Sequence, residues 1–311
     1  MNYTSFNQYK VSKLALGTVQ LGMDYGIANR QGAPSVADAH ALLAASVRNG
    51  INSFDTSPTY GSSEDVLGGY LAGVEKEDLF IVSKFKYDAD RAVDLEKVWK
   101  EVRLIVGQSL ERLGIGKLPL VLYHKGAAES IEQVKEVVPE LLNRLKHENL
   151  IAHGGISLYY SSEADHLLDD DAFEALQIPL NVLDQAIIAN GTLRSLHEKG
   201  KLIMIRSVFL QGLFWKDPGG LTGKLSAAAP FLNRLNELAA DSDLSVAELA
   251  FSFIRDLDAV DSLVIGAENI GQVEANLRLL NAPILSAELR AELLKLSINV
   301  PIEVITPALW N

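Results

Sequence analysis

Residues 51–69 read INSFDTSPTYGSSEDVLGG. The stretch begins as a short apolar strand, Ile51 to Phe54, and ends that strand on a carboxylate, Asp55. It then enters a loop cut by Pro58 and Gly61, and the loop carries Tyr60. A strand that stops on a buried-looking acid and is followed by a lone loop tyrosine has two readings. Either the loop decorates the surface, or Asp55 and Tyr60 face a common site.

Working outward from Asp55, similar apolar runs recur along the chain: LALG at 14–17, LFIVS at 79–83, LPLVLY at 118–123 and IAHGGI at 151–156. ALQIPL at 175–180, KLIMI at 201–205 and SLVIG at 262–266 complete the set. Their hydrophobicity is continuous rather than alternating, as expected of parallel strands buried on both faces. Helix-period segments lie between them. Residues 35–50 open with Ser35 as a candidate N-cap and close on Gly50. Residues 95–114 again end in glycine, and residues 131–150 contain Pro139, which predicts a kink or break. Eight strand-plus-helix units predict an α/β fold of the (β/α)₈ TIM-barrel kind, with residues 1–311 as one domain. A doubly wound sheet would also alternate, but the first turn here, LGTVQLGMDYG, lacks G-x-G-x-x-G. Two segments exceed the period. Residues 207–226 form a long excursion, and long ordered loops are more often functional than idle. The tail after Ser286 supplies one more helix and a segment placed to close over the barrel.

Bulk properties narrow the function. The chain has 311 residues, 48% hydrophobic and 22% charged, with a formal charge of −12. That composition fits a globular protein able to bury a real core, and the charge argues against a nucleic-acid surface, which needs clustered Lys and Arg. Cysteine is absent, which excludes disulfides and thiolate chemistry and suits a reducing cytoplasm. No apolar run reaches the length of a membrane helix, so no membrane partner is expected. The expected partner is a small molecule.

In a barrel the reactive groups sit at the carboxyl ends of the strands. Those ends carry Thr18, Asp55, Lys84, His124, Ser157, Gln177, Arg206 and Ser207 in chain order. Singly, Asp55 could be a loop cap, Lys84 a surface lysine and His124 a satisfied core histidine. Together, at successive strand ends, they suggest chemistry. A phenol has a reference pKa near 10, too high for ready proton exchange at neutrality. A lysine ammonium beside it favours the phenolate, and a carboxylate holds that lysine charged. Asp55 can therefore pair with Lys84, Lys84 can activate Tyr60, and His124 can donate a hydrogen bond to a substrate oxygen. Such a set protonates an alkoxide forming from a carbonyl and lacks only a hydride source.

The chain resembles the aldo-keto reductase superfamily over nearly its whole length. The resemblance is carried by LALGTVQLG (14–22), GINSFDTSPTYGSSEDVLG (50–68), IVSKF (81–85) and SLERLGIGKLPLVLYHKG (109–126). GGISLY (154–159), LQIPLNVLD (176–184), IRSVFLQGL (205–213) and VIGAENIGQVEANL (264–277) follow in the same order. It implies carbonyl reduction with NADP(H) or NAD(H), by a catalytic tetrad matching Asp55, Tyr60, Lys84 and His124. It places the carbonyl substrate against Tyr25, Tyr60 and His124. Cofactor contacts fall on Thr18, Asp55, Ser157 and Gln177, then on Arg206, Ser207, Phe209 and Gln211, and finally on Gly266, Glu268, Gln272 and Asn276. Three positions depart from the pattern. Leu158 stands where an asparagine is usual, and Arg206 where an aromatic ring commonly stacks on the nicotinamide. Glu268 stands where an arginine often meets the 2′-phosphate of NADPH, so it favours NADH if it faces the ribose. The opening GTVQLGMDYGIAN resembles reductases of carbohydrate metabolism, which suggests a sugar-derived carbonyl.

Weaker signals point elsewhere and fail. GGLTGK at 219–224 has Pro218 where a phosphate loop needs glycine. The remaining histidines show no metal-ligand spacing, so no metal is expected. The acidic run LLDDD at 167–171 reads as a solvated loop. Tyr25, Trp215 and Trp310 stand where pocket walls could form. Two rival functions share the barrel: a lyase forming a Schiff base on Lys84, and a non-catalytic cofactor-sensing partner protein.

Overall fold

A computed structural model describes residues 1–29, 32–87 and 94–310. Among them, strands β3 (Leu14–Gly17), β4 (Ser53–Asp55), β5 (Phe80–Phe85) and β6 (Leu118–His124) are followed by β7 (Ile151–Ser157), β8 (Ala175–Pro179), β9 (Leu202–Arg206) and β10 (Ser262–Gly266). These eight strands pair in parallel in chain order, and β10 pairs with both β9 and β3 to close a barrel. Each of the eight apolar runs read from the sequence becomes one barrel strand.

Two cores form because strand side chains alternate between faces. On β5, Phe80 and Val82 belong to a cluster inside the barrel with Leu120, Leu122, Ala175, Leu202 and Met204. Ile81 and Phe85 belong to the larger cluster between barrel and helices, with Phe54, Val121, Leu176 and Ile205. The outer layer is built by helices whose apolar faces point inward. The helix Val36–Arg48 is capped by Ser35, which accepts from the Asp38 amide. The helix Leu95–Leu113 stops at Gly114, where φ is +61° and a side chain would be strained. Pro139 does not break its helix, which runs from Ile131 to His147. The ring removes the donor to the carbonyl of exposed Lys135, while buried Val134, Val138, Leu141, Leu142 and Leu145 hold the segment on the barrel.

The sequence reading missed an antiparallel hairpin, β1 (Tyr3–Phe6) with β2 (Tyr9–Ser12), whose two-residue turn includes Asn7 at φ +51°. It closes the amino-terminal end of the barrel: Phe6 and Val11 join the inner cluster, and Phe6 packs on Phe80 and His153. The opposite end stays open. There the 207–226 excursion folds into short 3₁₀ turns at Leu210–Trp215, Pro218–Gly220 and Gly223–Ala228. The tail packs on it, with Lys224 Nζ donating to the Leu309 carbonyl at 2.8 Å.

Candidate active site

Alternation also builds the site. Counting in twos from the inner cluster, Asp55, Lys84, His124, Ser157, Gln177, Arg206 and Gly266 share the inward face at the carboxyl ends of their strands. Register brings them level: Gly17 pairs with both Asp55 and Gly266, and Ser157 pairs with both His124 and Gln177. A strand sequence that is apolar at its base and polar at its tip thus delivers a ring of polar groups to one mouth.

At the centre lies Asp55, only 4% exposed. Its Oδ1 accepts from Lys84 Nζ at 2.7 Å and from Gln177 Nε2 at 2.7 Å. The Gln177 Oε1 accepts from Ser157 Oγ at 2.8 Å, which orients the amide so that its nitrogen meets the carboxylate. Lys84, 1% exposed, also donates to the Thr56 carbonyl at 3.0 Å, and its Nζ stands 4.8 Å from the centre of the Tyr60 ring. Burial alone would lower the Lys84 pKa; the Asp55 carboxylate and the Tyr60 oxygen outweigh it and raise the pKa above the ordinary lysine value. His124 sits edge-on to Tyr60 with ring centres 6.0 Å apart. Burial, then the positive charges of Lys84, Arg206 and Lys86, lower its pKa to about 3, so it is a neutral imidazole.

The loop that carries Tyr60 is fixed by hydroxyls rather than by apolar packing. Ser63 Oγ lies 2.6 Å from Thr18 Oγ1 and 3.0 Å from Thr56 Oγ1, and it donates to the Thr18 carbonyl. Thr18 Oγ1 in turn donates to the Asp55 carbonyl at 3.0 Å. Gly22 and Gly61 let the two loops touch, since a Cβ on Gly61 would stand 2.2 Å from the Gly22 carbonyl oxygen. Behind this clamp, Glu64 is buried at 1% exposure. It accepts from Ser83 Oγ at 2.6 Å, from Ser109 Oγ at 3.2 Å and from Arg112 Nη2 at 2.6 Å.

A cavity of 740 Å³ runs from this centre to the helix Ile270–Leu279. Asp55, Tyr60, Gln177 and Tyr25 line its inner end with Arg206, Ser207, Phe209 and Gln211; Gly266, Glu268, Gln272 and Asn276 line its outer end. Thr18, Lys84, His124 and Ser157 are not among the residues that line this cavity, and the Thr18 hydroxyl is spent on the clamp. Glu268 is half-buried in the cavity wall: its amide donates to Gln272 Oε1 at 2.7 Å, and Gln272 Nε2 is 3.5 Å from its carboxylate. Trp215, named from the sequence as a wall candidate, lines the cavity, whereas Trp310 donates to the Val304 carbonyl.

Gln20, Glu248 and Arg278 also line the cavity and were not singled out from the sequence. Gln20 follows the first strand end by three residues, and Arg278 flanks the face of Gln272, Ala275 and Leu279, which have helical spacing. Two features suit an elongated, polar cofactor. The cavity is long enough to be bordered by both Asp55 and Tyr60 and by the helix Ile270–Leu279, and the buried Gln20 Oε1 has no hydrogen-bond partner among the described residues. A carboxylate-held lysine beside a phenol can manage a proton at one end, while the other end offers amides, glycines and a cation. No group of three or more His, Cys, Asp or Glu among the described residues could hold a metal.

Known proteins resemble this chain in sequence and in fold. It is 26% identical over 288 residues to an L-galactose dehydrogenase from Arabidopsis thaliana, spanning 86% of this chain and 83% of that one. It is 24% identical over 315 residues to an L-glyceraldehyde 3-phosphate reductase from Escherichia coli (strain K12), spanning 87% and 86%. A solved aldo-keto reductase from Bacillus halodurans, in its holo form, superposes with a TM-score of 0.77 at 23% identity over 98% of this chain and 99% of that one, a likeness of fold. The aldo/keto reductase family model matches residues 13–296. The chain belongs to the aldo/keto reductase family, whose members are oxidoreductases.

Proposed function

We propose that the protein reduces an aldehyde or ketone of the sugar-derived class to its alcohol, with NADPH or NADH as reductant. The observation that carries this reading is the placement of Lys84 Nζ, 2.7 Å from Asp55 and 4.8 Å from the Tyr60 ring, beside a cavity that Tyr60 and Gln177 both line. The relatives that act on galactose and on a phosphorylated glyceraldehyde support the substrate class.

The bound cofactor supplies a hydride to the carbonyl carbon. Everything else falls to this chain. Tyr60 gives its phenolic proton to the carbonyl oxygen as charge develops there, and solvent restores it afterwards. The buried ammonium of Lys84 favours the resulting negative charge, and Asp55 keeps that ammonium in place. His124, being neutral, donates one N–H to the same oxygen and polarises the carbonyl without adding charge. Gln177, oriented by the Ser157 hydroxyl, offers its second amide N–H to a carboxamide, and Gly266, Glu268, Gln272 and Asn276 border the adenosine end. A cysteine-free chain suits a reducing cytoplasm, the compartment we assign.

The Schiff-base alternative requires Lys84 to present a neutral amine. Asp55 and Tyr60 hold it protonated, so its lone pair is unavailable for attack on a carbonyl. The test of the proposal is titration of the protein's fluorescence with NADPH and NADH in parallel at matched ionic strength. Saturable binding of either is expected, and binding of neither would overturn it.

A further inference from the structure

Arg206 ends β9 on the inward face, in register with Pro179 of β8, and lines the cavity with Tyr60, Asp55 and Gln177. Its half-buried guanidinium is anchored only by neutral acceptors. Nη2 donates to the Leu158 carbonyl at 2.8 Å and Nη1 to Ser207 Oγ at 3.0 Å. No carboxylate lies within 4.0 Å of it among the described residues. Asp184, whose charge Arg206 favours, is held by Ser161 Oγ at 2.9 Å, and burial raises its pKa. Lys84, by contrast, is neutralised by Asp55 at contact distance. Arg206 therefore gives this end of the cavity a positive charge without a contacting counter-ion, and that charge is felt at His124.

Resting on the function proposed above, the ring that delivers hydride must come within about 3.5 Å of the carbonyl carbon whose oxygen faces Tyr60. Arg206 borders that end. A dihydronicotinamide ring is neutral, and the oxidised ring carries one positive charge. The two forms share nearly the same outline, and their difference in charge is what a nearby guanidinium senses most strongly. We infer that Arg206 sets the redox preference of the cofactor site, favouring the reduced nicotinamide and repelling the oxidised one. The consequence is a site that loads reduced cofactor and releases the oxidised product readily.

Calorimetric titration of the full-length protein with both forms of the tighter-binding dinucleotide measures this without turnover. The oxidised form is expected to bind about tenfold more weakly, as one unit charge roughly 6 Å away gives at an effective dielectric of about 40. Arg206→Gln should bring the two dissociation constants close together, mainly by tightening the oxidised form, whereas Arg206→Lys should keep them apart. If Arg206→Gln does not fold, the wild-type ratio and Arg206→Lys still decide. A wild-type ratio near one, or a ratio unchanged in Arg206→Gln, would overturn the inference. Failure of the wild type to bind either form would instead remove the nicotinamide site itself.

Discussion

Lys84 Nζ and Gln177 Nε2 donate to the same oxygen of Asp55, Oδ1, each at 2.7 Å. One donor is charged and the other neutral, and all three groups are buried. Removing the charged partner leaves an uncompensated carboxylate, which costs about 3–5 kcal/mol; removing the neutral one leaves a single unmade bond, about 1–3 kcal/mol. Lys84→Met is therefore expected to lose more unfolding free energy in urea than Gln177→Leu, and Asp55→Asn should restore part of the Lys84→Met loss. Equal losses, or no rescue, would mean that Asp55 is held by other groups.

His124 gives the stability a pH dependence of definite sign. Its pKa is about 3 in the folded protein against about 6.5 in an unfolded chain. Above pH 6.5 neither state binds the proton, and the contribution is flat. As pH falls from 6.5 towards 3 the unfolded state binds more protons, so stability drops by up to about 1.4 kcal/mol per unit. Denaturant titrations of wild type and His124→Gln across that window should show a shallower slope in the variant. Parallel slopes would contradict a neutral, half-buried His124.

Much of this could be seen in the sequence because the barrel writes itself plainly. Strands buried on both faces are apolar throughout, and their carboxyl-terminal tips turn polar at Asp55, Lys84, His124 and Gln177. Signals that depend on distant partners could not be seen. The β1–β2 hairpin has exposed Tyr3, Ser5 and Lys10 among its few residues, and Phe6, Val11 and the half-buried Tyr9 meet a core that the barrel itself creates. Pro139 read as a breaker because the local rule is strong, yet six buried residues on one helix face override one missing hydrogen bond. Nothing in spacing says that Glu64 meets Arg112, or that Gln177 donates to a carboxylate across the barrel mouth.

Glu64 and Arg112 supply a test of the scaffold apart from the chemistry. Arg112→Met leaves Glu64 buried with only the Ser83 and Ser109 hydroxyls, a loss of about 3–5 kcal/mol. Glu64 touches the strand through Ser83, the neighbour of Lys84, but not the cavity. Unfolding free energy should fall while the dissociation constant for reduced cofactor, measured well below the melting temperature, stays within about twofold. A large change in cofactor affinity at full folding would assign this pair a role in the site.

Glu268, whose carboxylate lies in the cavity wall beside Gln272, supplies a test of cofactor choice. Repulsion between that carboxylate and a 2′-phosphate, about 5 Å apart at an effective dielectric of about 20, amounts to roughly 3 kcal/mol before screening. Glu268→Arg should move the NADPH-to-NADH affinity ratio towards NADPH by about tenfold or more. An unchanged ratio would place the carboxylate away from the ribose and leave Arg278 and Glu248, which also line the cavity, as the charged residues to test.

The most direct measurement is single-turnover oxidation of prebound reduced cofactor by an aldehyde, in wild type and Tyr60→Phe. The variant keeps the ring that packs against His124 and loses only the proton donor. The expected result is unchanged cofactor affinity with the hydride-transfer rate reduced by about 10²–10⁴, the usual contribution of a positioned acid. A Tyr60→Phe variant that binds cofactor and reduces the aldehyde at close to the wild-type rate would contradict the assignment of Tyr60 and, with it, the mechanism built on Lys84 and Asp55.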